Sequence, residues 1–296
     1  MAVLAAVQHA ATLPKMTVAV PYAAFLALAS LVACAVSLES TVFLTLGGMA
    51  QGLAIMLLWS CSSASCLASY SAQSLALVVV SLVLRLSSTL WLNGYLPTDS
   101  SGDGLYQAVD VCTLVAAAGL LRKVARGRGH GGLAGSAHKE QQGWSADGAS
   151  RMMTCGILVA ILLAALLHGD MNARPVFDTL WLAGHFIGAA ASFPQLWLSI
   201  SRAQVASAAH GDRVTRDGGT ADAVGAEGEG ETCASHFVSA MAMSQLFTVT
   251  YMWLAREDIT CTPWVEGFNH TIWAILAPSA LHLALVSDAM PQLPSF

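Results

Sequence analysis

The stretch Phe177–Ile200, FDTLWLAGHFIGAAASFPQLWLSI, decides the fold. It carries one charge, Asp178 at its start, and is long enough to cross a bilayer, which takes roughly 20 apolar residues. Pro194 lies about two-thirds of the way along. A proline inside a helix removes one backbone hydrogen bond and obstructs another carbonyl, so a kink is predicted there. In hydrocarbon the freed carbonyl needs a partner, and the neighbouring Gln195 amide is the nearest one available. Trp181 and Trp197 read as anchors toward the two ends. This helix is predicted to be the hinge of a small membrane bundle.

Composition agrees with that class. The 296 residues are 55% hydrophobic and only 10% charged, with mean hydropathy +0.61, whereas soluble domains carry about 25% charged residues. An all-α polytopic membrane protein is expected. After an apolar lead comes Val18–Leu38, which is free of charge and reads as an extra membrane helix. Ala33-Cys34-Ala35 also fits a small-x-small cleavage site behind an apolar core, the alternative for this segment. Seven spans follow: Thr41–Trp59, Ala72–Leu92, Leu105–Leu121, Met152–Leu167, Phe177–Ile200, His236–Leu254 and Gly267–Val286.

Lys and Arg set the orientation. Arg122, Lys123, Arg126, Arg128, Lys139 and Arg151 crowd one loop, and Arg202, Arg213 and Arg216 another. Alternate crossings put both on one side, with only Arg174 and Arg256 opposite. The positive-inside rule makes the basic side cytosolic and turns Asp178 toward the other compartment. Residues 125–150 and 203–230 are Gly/Ala/Ser-rich and lack apolar periodicity, so they read as disordered cytosolic inserts. The seven cysteines show no zinc or disulfide spacing and read as unremarkable membrane cysteines. No nucleophile–base, paired-carboxylate or Cys/His set lies at usable spacing, so neither an enzyme nor a cofactor is expected. A nucleic-acid partner is not expected either, because the basic loops read as solvated linkers.

An internal echo runs through the chain. Leu57-Leu58-Trp59-Ser60 is followed by Ala68-Ser69-Tyr70, and Gln195-Leu196-Trp197-Leu198-Ser199 by Ala234-Ser235-His236. Three spans, a linking span at Met152–Leu167 and three more spans would give two parallel repeats. Sugar exporters of the SWEET type use such repeats, with the site at the repeat interface.

In order and spacing, several short motifs resemble those of the ER lumen protein-retaining receptors, the KDEL receptors. Asp178-Thr179-Leu180-Trp181 and Phe193-Pro194-Gln195-Leu196 stand where that family has Glu-Ile-Leu-Trp and Leu-Pro-Gln-Leu. Glu231-Thr232-Cys233-Ala234-Ser235-His236-Phe237 is similar to the end of its second long loop. Leu46-Gly47, Ser65-Cys66, His168-Gly169-Asp170, Glu266-Gly267-Phe268 and Ser287-Asp288 echo further family positions.

The resemblance covers about 41–290 and implies a seven-helix, SWEET/PQ-loop-like domain there, with 1–40 as an added segment. It implies a receptor in the ER and cis-Golgi membrane. Such a receptor binds the C-terminal Lys/His-Asp-Glu-Leu of escaped lumenal proteins and returns them through the vesicle coat machinery. Its partners would be that peptide, the lipid bilayer and the coat.

Carried over residue by residue, the resemblance makes Arg85 the grip for the ligand's terminal carboxylate. Asp178 and Trp181 would receive the ligand's basic residue. Arg85 is also the one basic residue inside a span, where a charge is costly and faces a cavity or a partner. An ion pair with Asp110 or Asp288 is the structural alternative.

Other family positions differ. The first-helix arginine falls on Leu44 and the pH-sensing histidine on Gln51. The second-helix aspartate falls on Ser88 and the fifth-helix glutamate on Gly188. The sixth-helix Tyr-Arg pair falls on Ser244-Gln245, and a later arginine on Ala255, with Arg256 replacing it if the register shifts by one. Residues 291–296 carry none of the basic residues of the family's coat-recruiting tail. His185 and His282 are the histidines within spans, where a packing role is the default. The reading that competes with a receptor is a SWEET/PQ-loop-like carrier of small solutes. Two convergent cations would mark the receptor, and a hydroxyl- and Trp-lined site without net charge the carrier.

Overall fold

The computed structural model of the chain describes residues 16–35, 41–61, 69–92, 104–130, 146–168, 174–213, 222–254 and 270–289. Among them the regular elements are all α-helices: α1 (Met16–Ala35), α2 (Thr41–Ser60), α3 (Ala72–Leu92), α4 (Gly104–His130), α5 (Ala146–Leu167), α6 (Pro175–Ala190), α7 (Phe193–Arg213), α8 (Asp222–Leu254) and α9 (His270–Ala289). Six stretches are long and apolar enough to span a membrane: Thr41–Ser60, Ala72–Trp91, Gly104–Gly127, Pro175–Arg202, Thr232–Leu254 and Ile272–Ala289. Val18–Val32 and Arg151–Leu167 are shorter apolar helices. The protein is an all-α, multi-pass membrane protein.

Its outer faces are apolar. Leu26 and Leu31 of α1, Leu158, Leu162 and Leu166 of α5, and Trp273 and Leu281 of α9 are all exposed. That is the surface hydrocarbon solvates, since lipid-facing helices satisfy their backbone internally and turn apolar side chains outward.

α2 is the most enclosed span. It packs against α8, α4 and α1, while α3 packs against α6 and α4, α8 against α9, and α5 against α6. Small residues permit the close approaches. A Cβ on Gly47 would lie 3.3 Å from the Ser244 carbonyl of α8, and one on Gly52 3.0 Å from Thr113 Oγ1 of α4. Trp59 joins α2 to α4: its indole Nε1 donates to the Ala116 carbonyl at 2.9 Å, and Lys123 Nζ sits 4.5 Å from the ring centre. A cation over an indole face is attracted by the ring quadrupole. α1 is folded onto the bundle through Val18 and Val32, and Tyr22 Oη lies 3.1 Å from His236 Nδ1 of α8.

Three sequence expectations need correction. The stretch 177–200 is not one kinked helix. α6 ends at Ala190, a turn at Ala191-Ser192 follows, and α7 begins at Phe193 with Pro194 as its second residue. Proline is tolerated in a first turn, where its missing N–H has no intrahelical role. Helix also extends into both loops expected to be without structure: α4 runs to His130, α7 to Arg213, and α8 starts at Asp222. Finally, Cys61 at the end of α2 and Cys233 of α8 form a disulfide across 172 residues of sequence, a pairing their spacing did not announce.

Candidate functional site

The site grows from the contact of α3 with α6. Gly184 and Gly188 of α6 are one turn apart, a small-xxx-small spacing that lets two helix backbones come close in a membrane. A Cβ on Gly184 would fall 2.7 Å from Arg85 Cγ and 2.9 Å from the Ser81 carbonyl, and one on Gly188 2.8 Å from Ser81 Oγ. Ser81 Oγ donates to the Gly184 carbonyl at 2.7 Å, fixing the register of the pair. Gly188 is therefore a packing residue.

That approach encloses Arg85, which is 7% exposed. Its Nη2 donates to both oxygens of Asp110 of α4, at 2.8 and 2.9 Å, and to Gln51 Oε1 of α2 at 2.9 Å. Three helices thus meet at one guanidinium. Of the two carboxylates named in the structural alternative, it is Asp110 that makes the pair. Gln51 is a neutral acceptor completing the same cluster.

On the two facing helices α3 and α6, four polar atoms are shielded from solvent and have no hydrogen-bond partner among the described residues: Arg85 Nε, Ser88 Oγ, Trp181 Nε1 and His185 Nε2. Ser88 stands one turn beyond Arg85 on α3, and Trp181 and His185 flank Gly184 on α6. The rings of Trp181 and His185 are in contact, tilted at 60° with centroids 4.2 Å apart. Buried polar groups are nearly always paired, so an unmet cluster points to something that completes it.

Trp181 is fully buried, in an apolar cluster with Leu44, Tyr106, Leu182, Tyr251 and Ile275. It is therefore not an interfacial anchor, whereas Trp197 is 70% exposed. Leu44 is part of the same apolar cluster. Asp178 is buried in the first turn of α6, where the helix dipole favours a negative charge.

No family model, curated protein or solved structure matches this chain. The site is therefore read from its own geometry.

Pro194 and Gln195 form a second polar centre, where the sequence expectation also needs correction. Gln195 does not serve a carbonyl of its own helix. Its Oε1 accepts from Ser71 N at 2.7 Å and its Nε2 donates to the Ser69 carbonyl at 3.2 Å, while Gln195 N donates to Ser74 Oγ at 2.9 Å. The side chain thus caps the start of α3, satisfying backbone groups that a helix N-terminus leaves open. At the break itself it is His282 of α9 that meets the Ala189 carbonyl through Nδ1. A carbonyl only accepts, so Nδ1 carries the proton, and Ser192 Oγ then donates to Nε2 at 3.3 Å.

Ser244 and Gln245 of α8 are buried, and Gln245 Oε1 accepts from Ser279 Oγ of α9 at 2.9 Å. Arg256, Ser65-Cys66, Gly169-Asp170 and Glu266-Gly267-Phe268 lie outside the described residues. Sequence reading missed His185 as a member of the site and Gln51 as a partner of Arg85. The signal available for both was a polar side chain inside a span whose length left no room for a water-facing loop.

Proposed function

We propose that this chain is a divergent receptor for C-terminal retention signals. It binds the free carboxylate of a KDEL- or HDEL-like peptide at Arg85 and returns the peptide's owner from the cis-Golgi to the ER through the vesicle coat machinery. The observation that carries the reading is a pair of buried N–H donors, Arg85 Nε and Trp181 Nε1, on facing helices and without an acceptor among the described residues. A ligand carboxylate supplies acceptors, and guanidinium–carboxylate hydrogen bonds are charge-assisted. Asp178, in the first turn of α6, would take the basic residue of the signal.

The pairing of helices also supports a two-repeat architecture. If α2–α4 correspond to α6/α7, α8 and α9, then α2 against α8 is the counterpart of α3 against α6, and α3 against α4 that of α8 against α9. A two-fold relating parallel repeats produces such reciprocal pairs, with the site between repeats.

One observation favours the second reading, a SWEET/PQ-loop-like carrier. The cation of the site is already neutralised by Asp110 and bonded to the neutral Gln51, and the polar residues Ser81, Ser88 and Trp181 lie on the same two facing helices. Such a lining suits an uncharged polar solute. The two readings separate in cells lacking their own retention receptor. Expression of this chain should keep a secreted reporter ending in Lys-Asp-Glu-Leu or His-Asp-Glu-Leu inside the cell, and release it when the terminal Leu is followed by one more residue. Continued secretion of the signal-bearing reporter, together with solute uptake by reconstituted vesicles, would replace the receptor with the carrier.

A further inference from the structure

We infer that Asp110 and Gln51 set the affinity of the Arg85 site from within, Asp110 acting as a built-in competitor for the ligand's carboxylate. The inference rests on the receptor reading above. Both oxygens of Asp110 are bound by a single nitrogen, Arg85 Nη2, in the way a ligand carboxylate would be bound, and Gln51 Oε1 takes the same nitrogen. Asp110 has no solvent exposure and Arg85 is nearly enclosed, so the pair is not weakened by water.

An incoming carboxylate has two routes to the guanidinium. It takes the unpaired Nε edge while sharing the charge with Asp110, or it displaces Asp110 from Nη2. Either way two carboxylates face one cation in a poorly screened place, and the second is held less tightly than it would be alone. Gln51, a neutral acceptor, steadies the guanidinium without adding a negative charge. Asp110 does not touch the ligand; it is a positioning residue acting through Arg85. The selectivity that follows is for ligands with a strong, fully ionised carboxylate, because weaker acceptors do not compete with Asp110.

The geometry makes opposite demands on two substitutions. Asp110→Asn removes the competing charge but keeps an acceptor of the same shape, which leaves Arg85 under-compensated and more attractive to a ligand anion. Gln51→Glu adds a second internal carboxylate next to Arg85. Coupling energies of close interfacial charge pairs convert to affinity changes of about tenfold or more.

The test measures binding of a fluorescent peptide ending in Lys-Asp-Glu-Leu, as the free acid and as the C-terminal amide, to the purified full-length protein. The free acid should bind Asp110→Asn at least about tenfold more tightly than the native protein, with amide binding unchanged. Asp110→Glu should return the affinity to the native level, and Gln51→Glu should weaken free-acid binding by a similar factor.

Equal affinity of the native and Asp110→Asn proteins for the free acid overturns the inference, as does a parallel gain for the amide. If Asp110→Asn does not fold, Gln51→Glu decides alone, and unchanged affinity there overturns the inference. A native protein and variants that all fail to bind the free acid would overturn the receptor reading and this inference with it. Failure of the inference alone leaves native binding intact.

Discussion

Replacing Arg85 with Ala should destabilise the bundle, and the structure says by how much. Arg85 Nη2 is the donor to both Asp110 oxygens, and Asp110 is fully buried. The substitution leaves a carboxylate without its cation in a low-dielectric interior. Breaking a buried ion pair from one side costs about 3–5 kcal/mol. For a chain of this size that corresponds to a fall in Tm on the order of 10 °C. The assay is thermal unfolding of the purified protein in detergent, followed by tryptophan fluorescence and by size-exclusion recovery after heating. Asp110→Leu alone should be comparably damaging, because it leaves the guanidinium uncompensated. The double variant Arg85→Met/Asp110→Leu removes both charges and refills the volume, so it should recover most of the loss. Buried pairs replaced by apolar residues are often as stable as the original, and non-additivity is the signature of direct coupling. An Arg85→Ala protein as stable as the native one would refute the reasoning, and so would a double variant as unstable as the sum of Arg85→Met and Asp110→Leu made singly.

Gly184→Ala should cost about 1–3 kcal/mol by overpacking, because the new Cβ would lie 2.9 Å from the Ser81 carbonyl, and backbone has to move to admit it; detergent melts check this, and a native melt would contradict it. Gln195→Ala removes two buried hydrogen bonds at the start of α3, those to Ser71 N and the Ser69 carbonyl, a loss of about 2–5 kcal/mol; retention of native stability would show that the cap is dispensable. The Cys61–Cys233 bridge predicts that these two thiols resist a maleimide-polyethylene glycol reagent in denatured, unreduced protein and react after reduction, whereas Cys112 and Cys155 react throughout; a gel shift identical with and without reductant would remove the bridge.

Much of this fold was legible in residue order, for a physical reason. Apolar runs of bilayer length force helices, so the spans from Thr41 to Leu92 were placed within a few residues of α2 and α3. What could not be read was how helices share their polar groups. Nothing in the sequence near Gln195 says that its amide reaches Ser69 and Ser71, more than a hundred residues away, rather than its own helix. The same holds for His282 and Ala189. The helix break fell at Ala191-Ser192 because Pro194 is better placed in a first turn than in an interior.

The candidate site was half legible. A lone arginine inside a span had to have a partner, and Asp110 was one of two carboxylates named for it. Trp181 was read as an anchor because tryptophans favour interfaces, yet Gly184 and Gly188 draw α6 so close to α3 that this ring is enclosed. Cys61 and Cys233 could not be paired from spacing at all, since their meeting depends on α2 lying along α8.

The central claim is that Arg85 holds a ligand's terminal carboxylate. Its most direct measurement is equilibrium binding of a peptide ending in Lys-Asp-Glu-Leu to the purified protein, compared with the same peptide carrying a C-terminal amide. The account predicts saturable binding of the free acid and a loss of at least about thirtyfold for the amide, in line with about 2 kcal/mol or more for losing one partner of a buried charged pair. Equal binding of acid and amide, or no binding of either, would contradict it.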